Sequence, residues 1–155
     1  MPRGLPRVVK QNLEKCRESA IAAVDAYNRP GRQFRTGQYV ILIILAWTAL
    51  FHAIFYFRGT KPWYRRNDVA AVRYVRLDGE PKHWELSECL RQYYGGDNNA
   101  GRQNLEFLIG LRNKIEHRYL PELDASLYGE CQAALLNLED MLTKEFGARY
   151  ALADD

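Results

Sequence analysis

Apolar residues recur at helical spacing along four long segments of the chain, and this pattern predicts four main α-helices. The first helix covers about Arg7–Tyr27, and the turn sequence at residues 28–31 ends it. The second begins at Arg35 or Thr36, with Thr36 as its N-cap, and ends at about Phe57. The first helix carries one apolar stripe, formed by Val9, Leu13, Cys16, Ala20, Val24 and Tyr27.

The third helix is predicted over about Gly101–Tyr119, since Pro121 disfavours helical geometry in the residue before it. The fourth covers about Leu123–Phe146, with Asp124 near its start. The short connection around Pro121 predicts that these two helices are antiparallel neighbours. The fourth helix has an apolar face that consists of Leu127, Cys131, Ala134, Leu135, Leu138, Met141, Leu142 and Phe146.

The segment between the second and third helices contains a predicted β-hairpin. Val72–Leu77 is rich in strand formers, the dipeptide at residues 78–79 favours a turn, and Lys82–Leu86 returns as a short strand. Leu86–Tyr93 is expected to form a short helix. Residues 93–101 are expected to be a flexible linker that ends in an asparagine cap, because they lack the Gly-Lys-Ser/Thr of a phosphate-binding loop.

These elements predict one fold for the 155 residues. We expect an all-α protein, an antiparallel helical bundle of four main helices with a small β-hairpin insertion near residues 72–86. The length suits a single domain of residues 1–155. Hydrophobic residues make up 47% of the chain, which is enough for a packed core.

The second helix contains a run of nineteen residues, Tyr39–Phe57, that has no formal charge. By length this run qualifies as a transmembrane candidate. Neither flank is preferentially basic, so the sequence gives no orientation signal. The other helices are amphipathic and need an apolar element to pack around, which favours a buried core helix. We therefore interpret Trp47 and His52 as core groups with one hydrogen bond satisfied, and keep a small membrane protein as an alternative.

Charge is unevenly distributed along the chain. Residues 1–82 hold 15 Lys/Arg against 6 Asp/Glu, a net of +9, whereas residues 120–155 hold 2 against 8, a net of −6. A basic half suits a polyanion such as RNA, and the alternative is a solvated surface paired with the acidic end. The three cysteines are few, odd in number and far apart, so we expect a reducing compartment. The first residues lack the apolar run of a signal peptide, so we expect a cytoplasmic protein.

Arg112 and His117, near the end of the third helix, are the strongest candidates for chemistry. Arginine can brace the charge of a phosphoryl group, and histidine can move the proton. The two residues are five positions apart, so their directions differ by roughly 140° at about 100° per residue. Arg112 lies on the apolar arc of the helix and must be paired or reach an opening. That arc is predicted to consist of Leu105, Leu108, Ile109, Leu111, Ile115 and Tyr119. His117 shares a polar line with Glu106, Gly110 and Asn113, and Gly110 suggests the close approach of another helix.

The Arg112-x4-His117 spacing, with polar Asn113 directly after the arginine, resembles the signature of HEPN-domain proteins. The stretch from Tyr27 to His52, which contains Phe-Arg-Thr at 34–36 and Ala-Trp-Thr at 46–48, looks like a HEPN-related branch. The resemblance covers most of the chain, and the hairpin is an insertion relative to the minimal bundle. It implies a helical bundle that acts as a metal-independent endoribonuclease in toxin–antitoxin or anti-phage defence systems. It also implies a homodimer, in which two motifs meet in one cleft.

Carried over residue by residue, the resemblance makes His117 a general base or acid for attack by the RNA 2′-hydroxyl. Arg112 would stabilise charge on the phosphate, and Asn113 would orient groups in the cleft. Lys114 and Arg118 would bind backbone phosphates. No cofactor or metal is implied, and the histidines and cysteines have no metal-ligand spacing.

Tyr119 extends the match to an Arg-x4-His-x-Tyr form. In that subgroup a nucleotidyltransferase antitoxin can modify the tyrosine with AMP, so Tyr119 is a candidate regulatory site and such an antitoxin a possible partner. The alternative is a packing tyrosine on the apolar arc. For the whole chain, the alternative to the nuclease is a non-catalytic HEPN-like module for RNA binding or dimerisation.

Overall fold

The computed structural model of the chain describes residues 4–31, 34–117, 127–150 and 152. Its described part is mostly helical, as predicted. The five α-helices of this part are α1 (Arg7–Asn28), α2 (Arg35–Phe57), α3 (Leu86–Tyr94), α4 (Ala100–His117) and α5 (Tyr128–Phe146), and a 3₁₀ turn follows at Ala148–Tyr150. The predicted short helix before the linker is α3, and the four longer helices are the predicted main ones.

Helices α2 and α5 run in the same direction. The Tyr39 hydroxyl near the start of α2 donates to the Cys131 carbonyl near the start of α5, at 2.7 Å. At the other ends, the rings of Phe57 and Phe146 have centroids 5.5 Å apart. Because the two helix starts contact each other and the two helix ends contact each other, the helix axes are parallel.

Helix α4 runs antiparallel to α5. Near its first residue, Gly101 lies beside Asn137, whereas one turn later Asn104 donates its side-chain amide to the Glu130 carbonyl at 3.0 Å. As the residue number rises in α4, that of its contact in α5 falls. The predicted antiparallel neighbours are therefore confirmed, and α4 also runs opposite to α2.

Helix α2 forms the centre of the core. Fifteen of its residues are buried, and Trp47 donates its indole N–H to the Ala134 carbonyl of α5 at 3.1 Å. Among the described residues α2 is the one helix long and apolar enough to cross a membrane, and 67% of its most apolar window is buried inside the protein. This burial fits the interpretation of the uncharged run as a core helix, since the amphipathic helices around it bury their stripes against it.

Two predicted helix starts are wrong. Thr36 does not cap α2, because the helix already begins at Arg35 and Thr36 is buried in its first turn, while Phe34 at the N-cap makes no side-chain cap bond. The Arg35 guanidinium instead donates to the Tyr27 carbonyl of α1 at 3.3 Å, which ties the two helices together at this corner. Helix α5 begins at Tyr128 rather than near Leu123. Asp124, predicted near that start, lies outside the described residues.

The linker between α3 and α4 is held by its neighbours. Asn99 accepts a bond from the Arg102 backbone N–H at 2.9 Å, so the predicted asparagine cap of α4 is confirmed. The Arg102 side chain donates to the Gly95 and Asp97 carbonyls at 2.9 and 3.2 Å. These bonds tie the linker to the first turn of α4.

The predicted hairpin is present, but its strands are shorter than predicted and a third backbone segment pairs with it. Strand β1 (Arg76–Leu77) pairs with β2 (Glu80–Pro81) across a turn in which Asp78 and Gly79 have φ of 51° and 81°. These left-handed values fit a tight hairpin turn. The return strand starts earlier than the predicted residue 82, and Leu86 belongs to α3.

Three backbone segments meet beside the hairpin in a triangular junction. The Tyr64 N–H donates to the Lys82 carbonyl at 2.9 Å, the Lys82 N–H to Val75 at 2.8 Å, and the Val75 N–H to Tyr64 at 2.8 Å. The segment around Tyr64, which carries no predicted strand, therefore joins the hairpin. We call residues 61–83 the β-layer, and it follows the C-terminal end of α2.

Candidate functional site

The candidate motif lies at the C-terminal end of α4, which is anchored by one apolar arc. Leu105, Leu108, Leu111 and Ile115 are buried at three- and four-residue spacing, as predicted, and Ile109 is half-buried. Burying these side chains fixes the rotation of the helix. The direction of every other α4 side chain follows from it.

Arg112 lies on this arc and is half-buried, with 28% of its side chain exposed. Its Nε lies 3.9 Å from a carboxylate oxygen of Glu116, and its Nη2 lies 3.5 Å from the Asn113 side-chain oxygen. Both distances are long for a charge-assisted hydrogen bond. Nε is fully shielded from solvent and makes no hydrogen bond within the described chain. The guanidinium is therefore partly exposed and only loosely held by Glu116 and Asn113.

A contiguous surface on the other side of α4 is exposed. We call it the open α4 face, and it consists of Glu106, Phe107, Gly110, Asn113, Lys114 and His117. Phe107 is 46% exposed, and His117 is the last residue that the structure describes in this helix. The expectation that Gly110 accommodates a neighbouring helix is not met by the described residues of this chain, because a Cβ on Gly110 would meet no atom within 4 Å.

Arg112 and His117 do not form one site in a single chain. Their five-residue spacing points them in directions that differ by roughly 140°, and no contact joins them in the described structure. Asn113 is the predicted site residue nearest the guanidinium. The predicted RNA contact Arg118 and the predicted modification site Tyr119 lie outside the described residues.

The other histidine that the sequence singled out serves the core. His52 is 9% exposed, and its Nε2 lies 2.8 Å from the Trp84 carbonyl, to which it donates. Burial lowers the pKa of His52 to about 4, so the ring is neutral near pH 7. This arrangement agrees with the interpretation of His52 as a core group.

The cysteines are also core residues. All three are buried and none is in a disulfide, and burial raises the pKa of the Cys16 thiol to about 12. A thiol with so high a pKa is a poor nucleophile at neutral pH. Within the described ranges, no three His, Cys, Asp or Glu side chains are grouped in a way that could hold a metal ion.

A family profile described as "Domain of unknown function (DUF3644)" matches residues 11–155. The chain belongs to this family. The DUF3644 description gives no activity and does not assign a HEPN domain. No curated protein and no solved structure matches the chain.

Sequence reasoning missed one cluster of polar and aromatic residues in this DUF3644 protein. Tyr56 at the end of α2 accepts a bond from the Trp63 indole at 2.9 Å and lies 3.0 Å from the His83 Nε2. His83 Nδ1 lies 3.1 Å from the Pro81 carbonyl, so a proton on Nδ1 satisfies both ring nitrogens. The sequence signal that could have revealed this cluster is a set of cationic and aromatic residues at every second position, which is the spacing of a strand face: Lys61, Trp63 and Arg65.

Proposed function

We propose that this DUF3644 protein is a HEPN-type, metal-independent endoribonuclease whose active site is shared between two copies of the chain. The Arg112-x4-His117 motif and its place late in α4, before one more long helix, carry the resemblance. In this proposal Arg112 of one copy and His117 of the other act on the same phosphate. The protein would act in the cytoplasm, in a toxin–antitoxin or anti-phage defence system.

The open α4 face supports dimerisation through this helix; of the two motif residues it carries His117, whereas Arg112 lies on the apolar arc. The open α4 face combines a half-exposed phenylalanine, a glycine with open space above it and the His117 side chain on one side of the helix. An exposed large apolar residue beside an uncovered glycine suits the approach of a second helix. A homodimer with twofold symmetry would place the same face of a second copy there.

The proposed chemistry needs one group that transfers a proton and one cation that stabilises charge. His117 takes the proton of an RNA 2′-hydroxyl, and the 2′-oxygen forms a bond to the adjacent phosphorus. The bond from phosphorus to the 5′-oxygen breaks, and that oxygen takes up a proton from solvent. The products are a 2′,3′-cyclic phosphate and a 5′-hydroxyl, and DNA is not cleaved because it lacks the nucleophile.

Arg112 would stabilise the negative charge that develops on the phosphate oxygens during this step. Its long distances to Glu116 and Asn113 leave donor positions for a phosphate. Asn113 would orient groups in the cleft. Lys114 and Arg118 would bind neighbouring phosphates, and a nucleotidyltransferase-type antitoxin that modifies Tyr119 would be a fitting regulator.

Cleavage of labelled RNA in the presence of EDTA tests the proposal. We expect the wild type to cleave and to leave a 2′,3′-cyclic phosphate. His117→Ala should lower the rate about 100- to 10,000-fold, the range for a general acid or base. Arg112→Ala should lower it about 100- to 1000-fold, the range for one electrostatic donor.

Arg91→Ala is the matched control, because it removes an exposed arginine from α3 that already pairs with Glu88. This variant should keep the wild-type rate. Equal cleavage by the wild type and a folded His117→Ala variant would reject His117 as a catalytic residue. Loss of cleavage in EDTA that returns with added metal would reject the metal-independent mechanism.

The second candidate function is a non-catalytic module that binds RNA or dimerises. The pairing of Arg112 with Glu116 in its own helix favours it, since an i, i+4 ion pair on a helix surface is a common structural feature. Such a module would bind RNA and form dimers but would not cleave any RNA tested. Folded, RNA-bound wild type without turnover is the result that selects it.

A further inference from the structure

The β-layer presents a second surface with its own chemistry. Residues paired across antiparallel strands place their side chains on the same face. The pairs Trp63 with His83, Arg65 with Tyr74 and Arg76 with Pro81 share strands with one another. Because side chains alternate along each strand, all six lie on one face, which we call the Arg65 face.

The Arg65 face is basic and contains no acidic residue among its six members. Arg65 and Arg76 are exposed and have no acidic partner within ion-pair distance in the described chain. Arg76 donates to the neutral carbonyl of Gly79 at 2.9 Å. On the opposite face, by contrast, Arg66 is paired with Asp68 at 2.6 Å. That opposite face also carries Arg73 and Lys82, which have no acidic partner within ion-pair distance in the described chain, so the two faces differ in their rings rather than in their charge.

The same face carries a group of mutually contacting rings. The Trp63 ring meets the Tyr74 ring edge-on at 5.2 Å and lies 6.0 Å from the His83 ring. Lys61 places its ammonium 5.0 Å from the centre of the Trp63 ring. Since Trp63 is anchored by its bond to Tyr56, the group has a fixed position at the end of α2.

The Arg65 face lies far from the candidate motif. The β-layer follows the C-terminal end of α2, whereas α4 runs opposite to α2 and ends at His117. Helix α2 has 23 residues, so at about 1.5 Å per residue its two ends are roughly 33 Å apart. The two surfaces are therefore at opposite ends of the bundle.

We propose that the Arg65 face is a docking surface for single-stranded RNA, with Arg65 and Arg76 on backbone phosphates and Tyr74 and His83 stacked on unpaired bases. Fixed rings beside uncompensated cations are the combination that binds single strands, because every base has a face to stack and every linkage a charge. A duplex hides its base faces, so it fits this surface less well. The choice of RNA over DNA rests on the proposed ribonuclease function.

The test is RNA binding by the full chain in the His117→Ala background, which separates binding from turnover. Fluorescence anisotropy with a labelled single-stranded RNA is measured over a series of salt concentrations. Arg65→Gln/Arg76→Gln should weaken binding about 10-fold or more and reduce the slope of log K against log salt by roughly 1.4, which is about 0.7 for each phosphate contact. Tyr74→Leu should weaken it about 10-fold with the slope unchanged.

Arg66→Gln/Arg73→Gln is the matched control, because it also removes two positive charges, but from neighbouring positions on the opposite face. It should change affinity less than twofold. Equal losses in both double variants, or no loss in the Arg65/Arg76 variant, would overturn the proposal. So would equal affinity for duplex and single strand, or a wild-type chain that binds no RNA, which would point to a protein partner for this face.

Two further results separate this proposal from the nuclease. A short RNA that fills only the Arg112/His117 site should be cleaved equally by the wild type and by Arg65→Gln/Arg76→Gln with His117 restored. If that RNA is cleaved but no face-specific binding is found, the docking surface alone is rejected. Face-specific binding without cleavage of any RNA keeps the docking surface and rejects the nuclease.

Discussion

His52 illustrates how burial sets the charge of a single side chain in this protein. The ring lies inside α2, donates to the Trp84 carbonyl and faces His83 at a centroid distance of 5.3 Å. Loss of solvent disfavours the charged form, and the proximity of His83 and Lys15 acts in the same direction. The pKa is consequently lowered to about 4, although the bond to Trp84 opposes the shift.

This lowered pKa predicts acid destabilisation. Between about pH 6.5 and pH 4 the unfolded chain binds a proton at His52 that the folded chain does not, so the free energy of unfolding falls as pH falls through this window. Above about pH 6.5, His52 is neutral in both the folded and the unfolded chain, so it causes no loss of stability there. A shift from 6.5 to about 4 corresponds to about 3 kcal/mol.

Urea unfolding at pH 7 and at pH 4.5 measures the effect. His52→Gln keeps an amide donor for the Trp84 carbonyl but does not titrate, so the variant should lose less stability than the wild type over this range. Identical pH dependence of the two proteins would show that His52 is not the group that titrates.

At the scale of elements, α2 and α5 are joined by hydrogen bonds as well as by apolar packing. Tyr39 and Trp47 each donate from α2 to a backbone carbonyl of α5, at 2.7 and 3.1 Å. Both donors are buried, so neither can exchange its partner for water without opening the interface. These bonds fix the register of two parallel helices whose apolar surfaces alone would tolerate sliding.

Removing one of these bonds should have a measurable cost. Tyr39→Phe keeps the ring and deletes the buried hydroxyl, so we expect a loss of about 1 kcal/mol and a fall in melting temperature of about 2–4 °C. Tyr128→Phe deletes a hydroxyl from a tyrosine that is 56% exposed and should leave the melting temperature unchanged. Equal melting temperatures for Tyr39→Phe and the wild type would contradict the role of this bond.

The helices and their buried stripes could be predicted because they depend on local spacing. Leu105, Leu108 and Ile115 were assigned to the core from periodicity alone, and they are buried. Thr36 was assigned wrongly because the start of α2 is set by its corner with α1, where Arg35 meets the Tyr27 carbonyl. That contact is formed between two helices and leaves no capping signature in the sequence.

The β-layer could be predicted only in part, for a related reason. The turn at residues 78–79 has a local signature, so the hairpin was found. Tyr64 pairs with Val75 and Lys82, which are 11 and 18 positions away, through backbone hydrogen bonds that any residue type can make. The sequence therefore contains no residue pattern that predicts this pairing. The candidate motif was recognisable from Arg112 and His117, but only the fold revealed that Gly110 faces open space.

At the scale of the whole molecule, the two proposed functional surfaces have different positions and different tasks. The open α4 face lies at the end of the bundle near the start of α2, and the Arg65 face lies at the other end. One would supply half of a reaction centre and the other a place to hold a longer strand. A molecule arranged in this way should prefer long single-stranded RNA to short fragments, since only a long strand reaches both surfaces.

The central claim is that Arg112 of one chain works with His117 of another. A heterodimer of one Arg112→Ala chain and one His117→Ala chain, co-expressed with two different tags and purified through both, tests it most directly. A twofold dimer has two sites, and each site combines Arg112 of one chain with His117 of the other. Both sites are incomplete in either variant homodimer, whereas one of the two is complete in the heterodimer. The account predicts that it cleaves RNA at about half the wild-type rate. A heterodimer no more active than either homodimer, beside an active wild type, would contradict the shared site.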